Sequence, residues 1–514
     1  MARIGLQRHV RFGPCRHTLP IWYELKPHYS IGRISWAIYR RAQGLWQGTT
    51  HNDQPGKQPP RRKTRMIEHV AIIGGGFSGS LAAINLVRHD GPRATLIDRA
   101  ADAGTGLAYG AAHPAHLLNV RAGNMSAFPD DPAHFTRWLE TQGTTAGPQT
   151  FVPRLVYGAY LRAVLDQVIA DHPDRLRIVR GEVTDLIKTD AVRVVMADGA
   201  SVTADAAILA LGNLPPHAPG GLDLDALPAA RYAGDCWAAD ATAGLGDEDT
   251  VLVLGTGQTM VDVALLLEAK GFAGRIVALS RRGLLPHAHA APGAPFTPIR
   301  DRPASVLSAL VRTLRARSEA VGWRGAIDEL RPFTQDMWRA ASVAERARFI
   351  RHARPWWDIH RHRLAPDVAE RMAALRANGR LALVAGKVDG VARCADGVEV
   401  AWRPRGADDV ARLTVQRIIN CTGPQGDLRR TSATVLQRLT ARGAIRPDPA
   451  ALGIDVDDQM RVLSADGTPS DRLFALGPMT RGAFWEIVAV PDIRTQAWTL
   501  ARRLSNAHWV AEGL

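Results

Sequence analysis

The sequence predicts an α/β protein with two parallel, doubly wound sheets, the first of them discontinuous in the chain, and a helical insertion. Three observations carry this. The stretch VAIIGGGFSGSLAAINL, from Val70 to Leu86, reads as a buried strand, a glycine-rich turn and the start of a helix. A second stretch of the same kind, VLVLGTGQTMVDVALLL, begins at Val251. Three further apolar runs end in a small residue and glycine: AAILALGN from Ala206, QRIINCTGP from Gln416 and RLFALGPM from Arg472. The first of these closes the segment after the first turn, and the other two follow the second turn.

A chain of 514 residues with 46% hydrophobic content can bury two or more cores. No segment reaches the roughly eighteen uncharged apolar residues that span a bilayer, so a soluble, cytoplasmic protein with no membrane partner is expected. Cys15, Cys236, Cys394 and Cys421 show neither a C-x-x-C pair nor metal-ligand spacing, which predicts reduced thiols and excludes a redox-active dithiol of the disulfide-reductase kind. The net charge of +14 is unevenly spread: residues 1–65 hold thirteen Lys and Arg against two acids, +11 in all, leaving +3 for the other 449 residues. That arm has no sustained period and ends in NDQPGKQPPRRKTR, a disordered composition. The expectation is that Met66 is the biological start and that no nucleic acid is bound.

In the first turn Gly74, Gly76 and Gly79 have G-x-G-x-x-G spacing. Gly74 allows the sharp turn, Gly76 the approach of a pyrophosphate, and Gly79 close packing of helix on strand. The strand ATLID then ends in Asp98, twenty-four residues after Gly74, where an acid can accept from ribose hydroxyls. The second turn has Gly255 and Gly257 but Met260 at the third position, which predicts wider packing. Its following strand ends in Ser280, Arg281 and Arg282, a hydroxyl and two guanidiniums suited to a 2′-phosphate. Two different nucleotides follow: FAD on the first Rossmann-like unit and NADPH, in preference to NADH, on the second. Candidate cofactor-binding residues are Gly74, Gly76, Phe77, Ser78, Gly79, Asp98, Arg99, Val183 and Gly212 in the first segment, and Gly255, Gly257, Ser280, Arg281, Arg282 and Gly423 beyond it.

A longer set of stretches resembles one family. GGGFSG, GLAYG (Gly106 to Gly110), HLLNVRAGNMSAFPDDPAHFTRWL (His116 to Leu139), FVPRLVYGAYL (Phe151 to Leu161), GTGQTMVD, LSRRGLLPHAH, WWDIHRHRLAP and GPMTRGAFWEIVAVPDIRTQA (Gly477 to Ala497) are similar to the bacterial FAD/NAD(P)-binding proteins of the FAD-dependent urate hydroxylase and aspartate N-hydroxylase type, relatives of the ornithine and lysine N-monooxygenases. The resemblance covers Met66 to the C-terminus. It implies a flavin monooxygenase that uses NADPH and O₂ to hydroxylate a small polar nitrogenous substrate, urate-like or an amino acid, through a flavin hydroperoxide. The alternatives are a flavin oxidase or reductase that inserts no oxygen, and a flavin nucleotide-binding redox sensor. By the same resemblance Arg154 and Tyr157 help to hold FAD, Gly477 and Pro478 approach the flavin, and Trp485 and Glu486 lie near the pocket.

LNVRAGNMS is the candidate ring-facing loop: Asn119, Arg121 and Asn124 are the candidate catalytic residues, with Asn119 and Ser126 also touching cofactor. The expected boundaries are a basic extension 1–65, a first FAD-binding part 66–220, an NAD(P)H-binding domain 221–412 with helices over about 304–374, and a second FAD-binding part 413–514. Within those helices a capping box runs from Ser342 to Glu345. His360 and His362 are two apart without an accompanying carboxylate or cysteine cluster, so no metal is expected. His287 and His289 are loop residues that could touch nicotinamide or substrate.

Overall fold

The computed structural model describes residues 66–505, apart from 101, 221, 225, 226 and 292–295. The basic arm, Cys15 and the expectations placed on residues 1–65 lie outside the described residues.

The first sheet runs Arg461–Leu463, Pro469–Ala475, Ala206–Leu209, His69–Ile73, Arg93–Asp98, Leu176–Arg180, parallel throughout except at its Arg461–Leu463 edge. His69–Ile73 is buried at all five positions, as a central parallel strand must be. The helix Phe77–Arg88 that follows has eleven of its twelve residues buried. The reason is a second cover: the C-terminal helix Val490–Leu504 packs on it, and Leu81, Ile84, Leu500 and Leu504 share one core. A three-stranded antiparallel sheet, Val183–Lys188, Val192–Met196 and Ser201–Ala204, precedes Ala206–Leu209.

The second sheet runs Ala411–Val415, Gly397–Pro404, Leu381–Cys394, Arg275–Ser280, Thr250–Leu254, Arg417–Asn420, Tyr232–Ala233. Its last five strands are parallel, and the first two extend Leu381–Cys394 as antiparallel hairpins. Here the structure departs from the expected boundary at 413. Arg417–Asn420 pairs with Val251–Leu254, so QRIINCTGP belongs to the second sheet and Gly423 to its edge. A short strand buried at all four positions, two of them isoleucine, reads the same in either sheet. Only its long-range register decides between them. The chain rejoins the first sheet at Arg461–Leu463 and Pro469–Ala475.

The expected helical insertion is present as Leu307–Asp328, Thr334–Ala340, Val343–Arg348, Arg354–Arg361 and Pro366–Ala377. Ser342 Oγ accepts the Glu345 N–H at 3.2 Å, which is half of the capping box. The Glu345 carboxylate turns instead to the Leu307 N–H at 2.9 Å and ties two helices together. Among the described residues no helix is long and apolar enough to cross a membrane.

Candidate functional site

The two glycine turns are built alike. Gly74 has φ 105° and Gly255 φ 113°, and a Cβ on either would collide with a carbonyl oxygen of the neighbouring strand end, Ala210 for the first and Cys421 for the second. A Cβ on Gly79 would collide with the Gly74 oxygen, whereas one on Gly257 would meet nothing within 4 Å. Met260, in the third position of the second turn, is fully buried. The helices starting after Gly76 and Gly257 have no side-chain cap and no acid in their first turns. Their free N–H groups and positive ends fit a pyrophosphate.

Around the first turn, Asp98 already accepts from the Gly75 N–H, and from the Ala100 N–H at 2.7 Å, so its carboxylate is fastened to the turn. Gly477, φ 78°, lies against the Ser78 side chain and is held by Gln496 Oε1 at 2.7 Å, which brings the third apolar run to the first turn. Val183 opens the small antiparallel sheet, two residues after Gly181, whose N–H bonds the Asp98 carbonyl at 2.8 Å. Around the second turn, Arg281 is exposed and Arg282 half-buried, and neither side chain forms an ion pair or hydrogen bond among the described residues. Ser280 Oγ is engaged with Thr256 Oγ1 at 2.9 Å and the Gly283 N–H at 3.0 Å, so it shapes the turn.

Loops and helices enclose a cavity of about 330 Å³. The predicted loop supplies Asn119, Arg121 and Asn124 to its wall, and Arg154 joins them. The rest of the lining comes from segments outside that loop: Asp328, Arg331, Arg361, His362, Arg363 and residues 488–491. His289 bonds the Asn119 carbonyl through Nε2 at 3.0 Å. Burial pushes His289 down to about 4, with Arg363 and Arg121 adding to the effect against that hydrogen bond, so at neutral pH its ring is uncharged. Burial likewise pushes the Tyr109 phenol up to about 12, against the pull of Arg154, leaving a protonated hydroxyl at the wall.

Residues 71–214 match a family model described as FAD-NAD(P)-binding. The match takes in the first glycine turn, the helix Phe77–Arg88 and the strand Ala206–Leu209. Over 407 residues the chain is 23% identical to uncharacterised proteins of Mycobacterium tuberculosis and Mycobacterium bovis, covering 69% of this chain and 73% of each relative. It shares its fold with the L-lysine 6-monooxygenase of Pseudomonas syringae (TM-score 0.61, 16% identity, 85% of this chain and 99% of that one). The ornithine hydroxylase of Pseudomonas aeruginosa gives 0.56 at 15% identity with the same coverage. The FAD-bound cadaverine monooxygenase of Erwinia amylovora gives 0.62 at 13% identity, over 85% of this chain and 94% of that one.

Several residues expected at the cofactors, in the matched domain and beyond it, have partners within the protein. Arg154 makes a bidentate pair with Asp262 at 2.8 and 2.9 Å, its Nε reaching the Leu117 carbonyl at 3.3 Å. It clamps this domain to the first helix of the second sheet, since Asp262 lies in Gln258–Ala269. Ser126 is fully buried and spends its hydroxyl on the Asp131 carbonyl at 2.6 Å and the Phe128 N–H at 3.1 Å, closing its own loop. Tyr157 is buried among Phe77, Tyr109 and Phe135, its hydroxyl without a hydrogen-bond partner among the described residues. Trp485 stacks on Trp338, centroids 4.6 Å apart, inside the helical insertion and not in the cavity wall. Gly212 and Gly423 have open space around them; the close approaches fall two residues earlier, at Ala210 and Cys421. The separated Cys236 and Cys421 meet in the fold, both buried and free, and burial together with Cys236 pushes the Cys421 thiol well up. Among the described residues no group of three or more His, Cys, Asp or Glu could hold a metal. His360 packs with His287 and Trp323, while His362 turns towards Glu486.

Proposed function

We propose that this protein is an FAD- and NADPH-dependent monooxygenase of the cytoplasm that hydroxylates a small polar nitrogenous molecule, urate-like or an amino acid. The observation that carries the reading is the cavity walled by the loop 119–124 and by the 361–363 segment, in a fold shared with three enzymes named as amine or amino-acid monooxygenases. When bound, FAD reduced by NADPH supplies the activation of O₂. The chain's own residues do the rest. The uncapped helix ends at Gly76 and Gly257 bind the two pyrophosphates. Asp98 and Arg99 stand at the ribose end of the first, and Arg281 and Arg282 take the 2′-phosphate of the second. Asn119, Arg121 and Asn124 orient the flavin and substrate, and the protonated Tyr109 hydroxyl donates at the same wall.

The test is purification with FAD followed by a panel of urate, amino acids and small amines. One compound should accelerate O₂-dependent NADPH oxidation while hydrogen peroxide release falls well below the NADPH consumed. If every compound leaves peroxide equimolar with NADPH, oxygen is not inserted and the oxidase alternative stands. A chain that retains no flavin would end both readings.

A further inference from the structure

Glu486 combines three features that stability alone does not explain. It is 4% exposed, it carries a full carboxylate into the interior, and its backbone is left-handed with φ 68°. A buried charge is costly unless paired, and a non-glycine residue held in this region costs on the order of 1–3 kcal/mol. Its partners all come from one short segment of the helical insertion. Oε1 accepts from Trp357 Nε1 at 2.7 Å and lies 3.6 Å from His362 Nε2, and Oε2 lies 3.2 Å from Arg361 Nε. Burial works to raise this carboxyl, yet His362, Arg361 and the Trp357 N–H together hold it at about 2.

Glu486 does not line the cavity, whereas Arg361 and His362 do. The carboxylate therefore stands behind a residue that lines the cavity. The backbone of His362 is also held: its carbonyl accepts from Gln258 Nε2 at 2.6 Å, and its N–H bonds the Asp358 carbonyl at 2.9 Å. Gln258 is the first residue of the helix after the second glycine turn, so the imidazole is indexed to the nucleotide site on one side and to Glu486 on the other. The charged groups around the ring are Glu486 from the C-terminal loop, Arg361 and Asp358 from its own helix, and Arg331 across the cavity.

We propose that Glu486 is a positioning residue for His362, fixing its proton at Nε2 so that Nδ1 serves as the acid–base atom of the cavity. This rests on the reading of the cavity as the hydroxylation site. The carboxylate faces Nε2 and selects the Nε2–H tautomer. In turnover the substrate N–H bond breaks, its proton bonds Nδ1, and Nδ1 returns it to water. At 3.6 Å the Glu486–His362 contact is longer than a hydrogen bond, because Trp357 holds the same oxygen; such contacts in unliganded sites tighten on binding.

The experiment is a pH titration by NMR of the full chain labelled at histidine Cε1, with the His362 signal assigned by its loss in His362→Asn. Glu486→Gln keeps an acceptor for Trp357 and should lower the His362 midpoint by about one pH unit or more. A midpoint within 0.3 pH unit of the parent, taken as roughly the resolution that distinguishes a lost charge, overturns the proposal. Should that variant fail to fold, Trp357→Phe frees the shared oxygen and should raise the midpoint; no rise overturns it equally. The titration needs no NADPH, O₂ or substrate. A shifted midpoint in a protein that inserts no oxygen leaves the positioning standing and removes the hydroxylase reading, and an oxygen-inserting enzyme with an unmoved midpoint does the reverse.

Discussion

Arg281 and Arg282 stand at the end of the strand Arg275–Ser280 with no acid in contact among the described residues, and the 2′-phosphate site proposed on this uncompensated pair of guanidiniums is tested by coenzyme choice. Each charge-assisted hydrogen bond to an anion is worth about 1.5–3 kcal/mol. Replacing both, as Arg281→Ala with Arg282→Ala, should raise the KM for NADPH by roughly a hundredfold or more and leave that for NADH within about twofold. Steady-state flavin reduction with the two coenzymes checks this, and equal effects on both would refute the assignment. These arginines were legible in the sequence because their placement depends only on the strand that carries them. The same holds for Asp98. Arg154 and Ser126 were not, since what each touches is set by residues far away in the chain or by the closure of a loop: Arg154 meets Asp262, 108 positions on, and Ser126 folds back on Asp131.

At the level of elements, both strand–turn–helix units were readable because a buried strand, a positive-φ glycine and a helix start are local events. Their differences are local too, and they separate folding from binding. A Cβ on Gly79 would run into the Gly74 carbonyl oxygen, so helix Phe77–Arg88 would have to move off its strand. Gly79→Ala should therefore lower the melting temperature and empty the flavin site together. A Cβ on Gly257 meets no protein atom within 4 Å and sits at the uncapped end of helix Gln258–Ala269. Gly257→Ala should melt within about 1–2 °C of the parent, as a surface change does, yet weaken NADPH binding about tenfold or more by standing where the pyrophosphate approaches. Calorimetry beside coenzyme titration tests the contrast; a large loss of stability in Gly257→Ala would contradict it. The place of Arg417–Asn420 in the second sheet is not legible in the sequence, because a strand buried at all four positions carries no mark of the strand it pairs with.

Across the whole molecule, seven of the twelve described histidines share one property. Burial, the leading cause in each case, lowers His69, His89, His116, His134, His217, His287 and His289 from the ordinary value, the last to about 4. A folded state that refuses a proton the unfolded chain accepts loses stability as the pH falls through the unfolded value, near 6.5. Two sets of carboxyls act elsewhere. Those held low, such as Glu329 and Glu486, withdraw stability only as the pH falls below the carboxylate range of about 4. Those raised by burial, Asp358, Asp448 and Asp492, work in the opposite sense and regain stability on acidification. Between pH 7.5 and 5.5 the seven histidines outnumber these three, so the melting temperature should fall by several degrees over that window. Scanning calorimetry at fixed ionic strength measures it, and a flat or rising melting temperature would show that the buried imidazoles do not govern acid stability. His289→Asn isolates the residue with the largest depression: its bond to Asn119 can be kept by the amide, the proton-refusing ring is gone, and the slope against pH should be shallower than in the parent.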